Sequence, residues 1–233
     1  MKKLLLIVVF FLLFIDVSFS QDFEFAIIQD KDGYVNVRES KSSKSKVLDK
    51  LNDGELIYHH GKEGNWIDVN YIRNDIDVSG FVYFDRVKSV SDYQNIKCLE
   101  SSENQILFNS NDIFISITKQ KFNKKLHKLT FNKKYQDVLD EIDRKRIYGT
   151  DGNLPKHEYS TFKIIVNSKE INLPNEGFKN LFEPNFYFTK INYDKENDRL
   201  FIQSLNSDGA GGYAVIWFFE KGIYKGRFVT IPF

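Results

Sequence analysis

Three observations predict a mainly β chain: short alternating runs separated by Gly, Asn and Asp turns, an aromatic content of 15% dominated by 22 Phe and 12 Tyr, and only four Pro in 233 residues. Aromatic and β-branched side chains fit a pleated, half-buried surface, so this composition favours strands over helices. With 42% hydrophobic residues the chain can fill more than one core. The expectation is a small N-terminal barrel followed by a second β-rich unit, an antiparallel meander with minor α content.

Taken from the start, Lys2 and Lys3 precede the apolar run Leu4 to Ile15, Asp16 ends it, and the small residues Ser18 and Ser20 stand before a cut after residue 20. This predicts a signal peptide over 1–20; the run is too short for a spanning helix, which needs about 20 apolar residues. No Cys adjoins the cut, so lipid attachment there is not expected and the product is expected to be periplasmic or secreted, with no membrane partner once the leader is removed. Of 33 basic and 32 acidic residues, Lys2, Lys3 and Asp16 fall in the leader, leaving the rest balanced. A balanced charge gives no steering toward nucleic acid. One Cys, Cys98, excludes an intrachain disulfide and is expected as a small buried hydrophobe. No Asn-x-Ser/Thr acceptor occurs.

The first unit is placed at 21–92. Phe23 to Ile28 reads as a strand, and Asp32-Gly33 as the turn after it. Tyr34, Val35 and Val37 then alternate with Asn36 and Arg38, and the polar stretch Glu39 to Lys46 must be an exposed loop. Val47 to Leu51, Glu55 to Tyr58, Trp66 to Tyr71 and Gly80 to Tyr83 continue as strands, with turns at Asn52-Asp53-Gly54 and Gly61 to Asn65. Short strands with turns about every ten residues suit a small barrel better than a sandwich.

These residues resemble the bacterial SH3-like (SH3b) family, whose pattern appears here as Asn36-Val37-Arg38, Lys46-Val47-Leu48, Leu51-Asn52-Asp53-Gly54, Trp66-Ile67-Asp68-Val69 and Gly80-Phe81-Val82. The likeness covers about Ala26 to Val90, under a third of the chain. It departs at Lys41, where the family commonly has Pro, and at the insert Tyr71 to Ser79. The resemblance implies an extracytoplasmic binding module, in many members directed to cell-wall peptide, that recognises its ligand through aromatic and polar groups at loop ends. It nominates Tyr34, Tyr58, Trp66 and Tyr83 as ligand contacts. Trp66 also suits the barrel core, which is the favoured reading, and for Arg38 a bond that ties the adjoining loop is favoured over a ligand contact.

The second unit is placed at 93–233, after the polar stretch Lys88 to Asn95. Gln105 to Phe108 and Asp112 to Thr118 read as a hairpin, Lys119 to Lys134 as basic strands of period two, and Gln136 to Ile147 as a short helix with Val138, Leu139 and Ile142 on one side. Phe162 to Val166 and Glu170 to Pro174 make another hairpin, and Glu176 to Phe182 one helical turn. Tyr187 to Tyr193, Arg199 to Leu205, Tyr213 to Glu220 and Tyr224 to Ile231 form the meander. Gly149-Thr150-Asp151-Gly152 and Asn206 to Tyr213 resemble the C-terminal region of uncharacterised secreted bacterial proteins, a likeness that implies no activity. Asp151, Asp208 and Tyr213 form a candidate loop site, weighed against plain turn roles.

No nucleophile with its base, no metal-ligand spacing and no P-loop is evident, so no catalytic residue, metal or cofactor is expected. Asp194 to Asp198 lacks the Gly and the terminal Glu of a calcium loop. The expected function is non-enzymatic binding of a peptide, a peptidoglycan fragment or a partner protein. The alternative is a periplasmic inhibitor or immunity-type protein that blocks a cell-wall-directed enzyme, with the Asp/Gly loops as a plug.

Overall fold

The computed structural model describes residues 24–74 and 76–232, so the leader expected over 1–20 lies outside the described residues. Strand accounts for 57% of the chain. Among the described residues, helical structure is confined to 3-10 turns of three residues each, so the protein is mainly β, and its named strands pair antiparallel, an isolated bridge between Tyr148 and Leu181 being parallel.

The N-terminal sheet comprises β1 (Glu24–Ile28), β2 (Tyr34–Arg38), β3 (Val47–Asn52), β4 (Leu56–Glu63), β5 (Trp66–Arg73), β6 (Ile76–Tyr83) and β7 (Val87–Ser89), in the order β3-β2-β6-β5-β4-β1-β7. All seven strands send side chains into one apolar cluster that includes Ala26, Val37, Leu51, Ile57, Ile67, Val69 and Val82, with Val87 packed against it. A sheet whose two ends share one core must curl strongly, and the period-two alternation of β2, with Val35 and Val37 inward, is what the curl encloses. Gly80 permits the closure: a Cβ there would stand 2.5 Å from Val37 and 3.0 Å from the Arg38 carbonyl.

Beyond the short turn Val90–Asp92 come β8 (Gln94–Ile96), β9 (Cys98–Ser101), β10 (Gln105–Asn109), β11 (Ile113–Lys121), β12 (Leu129–Phe131), β13 (Leu139–Ile142), β14 (Lys145–Arg146), β15 (His157–Val166), β16 (Lys169–Ile171), β17 (Thr189–Asp194), β18 (Arg199–Asn206), β19 (Tyr213–Glu220) and β20 (Ile223–Thr230). Two five-stranded sheets, β16-β15-β11-β10-β9 and β20-β19-β18-β17-β8, enclose a shared core. Its centre is Trp217, fully buried, with its indole N–H donating to the Gly177 carbonyl at 2.8 Å. Arg227 donates to the same carbonyl at 2.7 Å, and burial lowers its affinity for a proton from the ordinary guanidinium value.

The sheet carrying β18 and β19 is buried on both faces. Leu200, Ile202, Val215, Trp217 and Phe219 point into the sandwich, whereas Phe201, Ala214 and Ile216 point the other way and meet Phe25, Ile27 and Tyr58 of the N-terminal sheet. Val90 and Tyr93 join that second layer from the connecting segment. This explains the near-continuous apolar run of β19: a strand covered on both sides has no solvent face to make polar.

Two expectations are overturned here. Gln136 to Ile147 is not helical: Leu139–Ile142 is β13, Lys145–Arg146 is β14, and the turn residues Asp143 and Arg144 carry φ of 55° and 63°. Two consecutive left-handed residues make a tight hairpin turn and cannot continue a right-handed helix. The apolar trio Val138, Leu139 and Ile142 is too short a pattern to fix its own period; Leu139 and Ile142 are buried with Phe182 in a small separate cluster under the three-stranded sheet β12-β13-β14. Cys98 is exposed, not buried, because β9 is an edge strand whose four residues all face solvent.

Candidate functional site

Strand alternation sorts the N-terminal sheet into an inner and an outer face. With Ile67, Val69 and Val82 inside, Trp66, Asp68, Phe81 and Tyr83 are placed on the outside of β5 and β6, and with Val35 and Val37 inside, Tyr34, Asn36 and Arg38 are placed on the outside of β2. The registers are Trp66 opposite Tyr83, Asp68 opposite Phe81 and Arg38 opposite Phe81. One surface therefore runs across three neighbouring strands as Arg38, Phe81 and Asp68, with the Trp66 and Tyr83 pair beside it. The two rings of that pair lie 4.2 Å apart at 35°. Trp66 is nearly covered, Tyr83 exposed, and Trp66 is absent from the inner cluster, so its burial comes from the outer face and not from the core favoured by its spacing.

Charges border the rings. The Lys41 ammonium lies 5.3 Å from the Phe81 ring centre and pairs with Glu63, and the Lys62 ammonium lies 4.4 Å from the ring centre of exposed Phe84. Arg38 ties the Glu39 to Lys46 loop, donating from Nη1 to the Ser45 carbonyl at 2.7 Å, while the Glu39 N–H donates to Lys46 at 3.0 Å. One donor of its fork is spent on this bond, and a guanidinium has several. A rigid loop beside partly exposed rings is suited to holding an extended chain by stacking and by charge-assisted hydrogen bonds.

The nominated residues do not all converge. Tyr34 sits four residues back along β2, about 13 Å from Arg38 at the usual strand rise, with the Lys50 ammonium 3.3 Å from its ring centre. Tyr58 is 2% exposed and stacks edge-on against Phe25 at 5.0 Å in the layer between the sheets, so a ligand cannot reach it; burial pushes its hydroxyl pKa up. Phe81 and Asp68 were not singled out from sequence, although the alternation with Val82 and Ile67 was the signal that places them.

At one end of the sandwich, Asp151 and Asp208 do come together, as lining of a cleft of about 630 Å³. Three loops form it. Gly149 to Asn153, Glu183 to Phe186 and Ser207 to Gly211 are knitted by Ser207 Oγ donating to the Gly149 carbonyl at 2.8 Å and the Ser207 N–H donating to Glu183 at 3.2 Å. The loops touch backbone to backbone: a Cβ on Gly149 would stand 2.3 Å from the Phe182 carbonyl oxygen, and one on Gly211 3.2 Å from Gly149. Tyr213 is fully buried behind this junction, its hydroxyl donating to the Phe182 carbonyl at 2.9 Å and its pKa pushed up by burial; it braces the cleft and does not face a ligand. Lys119, Lys156 and Glu183 complete the charged lining; Lys119 and Glu183 were not legible in the sequence because strand topology alone brings them to Asp151 and Asp208, and Lys156, close to Asp151 along the chain, carries no local mark.

Among the described residues, no group of three or more His, Cys, Asp and Glu is placed to hold a metal ion. Comparison of the chain with protein-family models, with curated proteins and with solved structures returned no match.

Proposed function

We propose that this chain is an exported, non-enzymatic binding protein whose N-terminal sheet, an SH3-like module, holds a peptide or peptide-bearing cell-wall fragment on its outer face. The observation that supports this reading most directly is the Trp66 and Tyr83 pair, set in register beside Phe81 and Arg38 and bordered by Lys41 and Lys62. Amphipathic rings beside cations suit a chain that offers carboxylates and amides along with apolar stems. The inhibitor reading is less favoured, since the Asp/Gly loops that would serve as its plug line a concavity.

Sedimentation of the chain lacking residues 1–20 with purified peptidoglycan tests the reading. Retention is expected, and Tyr83→Ala, which removes an exposed ring, is expected to abolish most of it while the circular dichroism spectrum stays unchanged. Equal retention of wild type and Tyr83→Ala, or none above a cellulose control, would refute the assignment.

A further inference from the structure

The cleft at the end of the sandwich has features that the outer face does not share. Its volume of about 630 Å³ lies within the range of small-ligand sites, roughly 300–1,000 Å³. Its charges come from different elements. Lys119 on β11 and Lys156 just ahead of β15 belong to one sheet; Asp208 lies between β18 and β19 of the other, and Asp151 on the segment that leads into β15. Among the described residues, the side chains of Lys156, Asp151 and Asp208 enter no ion pair or hydrogen bond, and Lys119 has only a 3.4 Å contact to the Pro184 carbonyl besides the Phe186 ring. Both signs of charge thus border one cavity without neutralising each other.

A buried polar group points the same way. Thr150, part of the lining, has its hydroxyl buried with no hydrogen-bond partner. Next to Ser207, fully buried Asn206 accepts at Oδ1 from Tyr159 at 3.2 Å, from the Asn185 N–H at 2.8 Å and from Ser204 at 2.8 Å, and so pins the loop that carries Asn185 and Phe186 into the lining. Orphaned buried polar atoms are uncommon in folded proteins and cost free energy unless something satisfies them. Leu154 and Phe186 supply an apolar patch within the same lining.

We infer that the cleft binds a short peptide with free termini, its carboxylate taken by Lys119 and Lys156, its ammonium by Asp151 and Asp208, and a side chain by Leu154 and Phe186. Glu183 is already engaged by His157 and the Lys156 N–H; a dipolar ligand is the class that uses the remaining charges of both signs at once, whereas a simple anion would leave Asp151 and Asp208 unused and a simple cation Lys119 and Lys156. The inference stands independently of the outer-face reading.

Isothermal titration of the chain lacking residues 1–20 with trialanine, N-acetyl-trialanine and trialanine amide tests it. Trialanine is expected to bind, and blocking either end to weaken binding by at least about tenfold, the effect of losing one charge-assisted hydrogen bond. Lys156→Gln should weaken trialanine and shrink the penalty for the amide; Asp208→Asn should shrink the penalty for the acetyl group. Both positions are exposed, so the variants should fold like wild type. Tyr83→Ala should leave trialanine binding unchanged, which separates this site from the outer face. Equal affinity for free and blocked peptides, or no heat with trialanine at millimolar concentration, would overturn the inference.

Discussion

The outer face of the N-terminal sheet and the cleft of the sandwich place functional side chains by different physical means. On the outer face, Arg38, Phe81, Asp68, Tyr83 and Trp66 project from paired strands whose inner residues fill a core. Position there follows from alternation, and an outward side chain can change while the backbone stays where the core holds it. At the cleft, Asp151, Glu183 and Asp208 ride on loops that touch through their backbones, with left-handed φ at Gly149, Gly152, Glu183, Ser207 and Gly209. Position there depends on the main chain itself. Substitutions should therefore separate binding from stability on the face and couple them at the cleft.

The strongest disturbance should come from the layer both regions rest on. Phe201 is fully buried between Tyr93 at 5.5 Å and Phe218 at 5.2 Å, all three rings close to parallel, and the layer joins β1 and β4 to β18 and β19. Phe201→Ala should cost about 3–5 kcal/mol, the transfer free energy of the ring plus the cavity left behind. Urea unfolding followed by Trp fluorescence should show one transition, displaced as a whole, since Trp66 and Trp217 report from the two units. Two transitions, or a displacement under about 1 kcal/mol, would mean that the units do not stabilise each other through this layer.

A smaller effect should separate two glycines that share a positive φ. Gly149 (φ +104°) would press an added Cβ against the Phe182 carbonyl, whereas Gly33 (φ +76°) has nothing within 4 Å. Gly33→Ala should cost about 1–2 kcal/mol from left-handed backbone alone. Gly149→Ala adds a backbone clash that no rotamer relieves, so it should cost more, lower the melting temperature further, and disturb the cleft while sparing retention on peptidoglycan. Equal melting temperatures for the two variants would mean that the loop junction yields freely.

These contrasts follow what was readable in advance. The strands of both units were legible because turn residues punctuate them, and on β2 the alternation also told inside from outside. On β18 and β19 it did not, since both faces are apolar, and for the same reason Tyr58 looked like a ligand contact: nothing local says that a second sheet covers the outer side of β4. The Gln136 to Ile147 pattern failed because its apolar residues span barely one turn. At the cleft, Gly neighbours marked Asp151 and Asp208, and Lys156 follows Asp151 closely without any such mark, but Lys119 and Glu183 lie far away along the chain, and only the pairing of β11 with β15 and the return of the chain before β17 gather them.

The smallest effect, and one confined to the N-terminal sheet, concerns acid. The Asp49 carboxylate on β3 is opposed by burial, which favours its neutral form. Outweighing this, it accepts from its neighbour Lys50 N–H at 2.7 Å, from Arg73 Nε at 3.0 Å and from the Tyr71 hydroxyl at 3.0 Å, and its pKa is lowered on balance. Folding thus binds a proton less tightly at this group than the unfolded chain does. Its contribution is present above the unfolded carboxylate value, about 3.9, and is lost as pH falls through the folded one. Because about a third of each partner's side chain is open to solvent, solvent screening keeps the gain under about 1 kcal/mol. Urea midpoints taken from about pH 6 to about pH 3 should fall less steeply for Asp49→Asn than for wild type, the difference vanishing at the acid end where the carboxylate is protonated anyway. Asp143 offers the matching test in the second unit. Burial opposes its charge too, but His127 at 2.8 Å and the Lys128 N–H at 2.9 Å lower its pKa on balance. Asp143→Asn removes the charged acceptor and should loosen only the β13 and β14 hairpin near neutral pH, so hydrogen exchange across Leu139 to Arg146 should rise while exchange in β2 and β3 stays as in wild type. Faster exchange in both segments would show that this hairpin is not a separate unit but is bound into the stability of the N-terminal sheet.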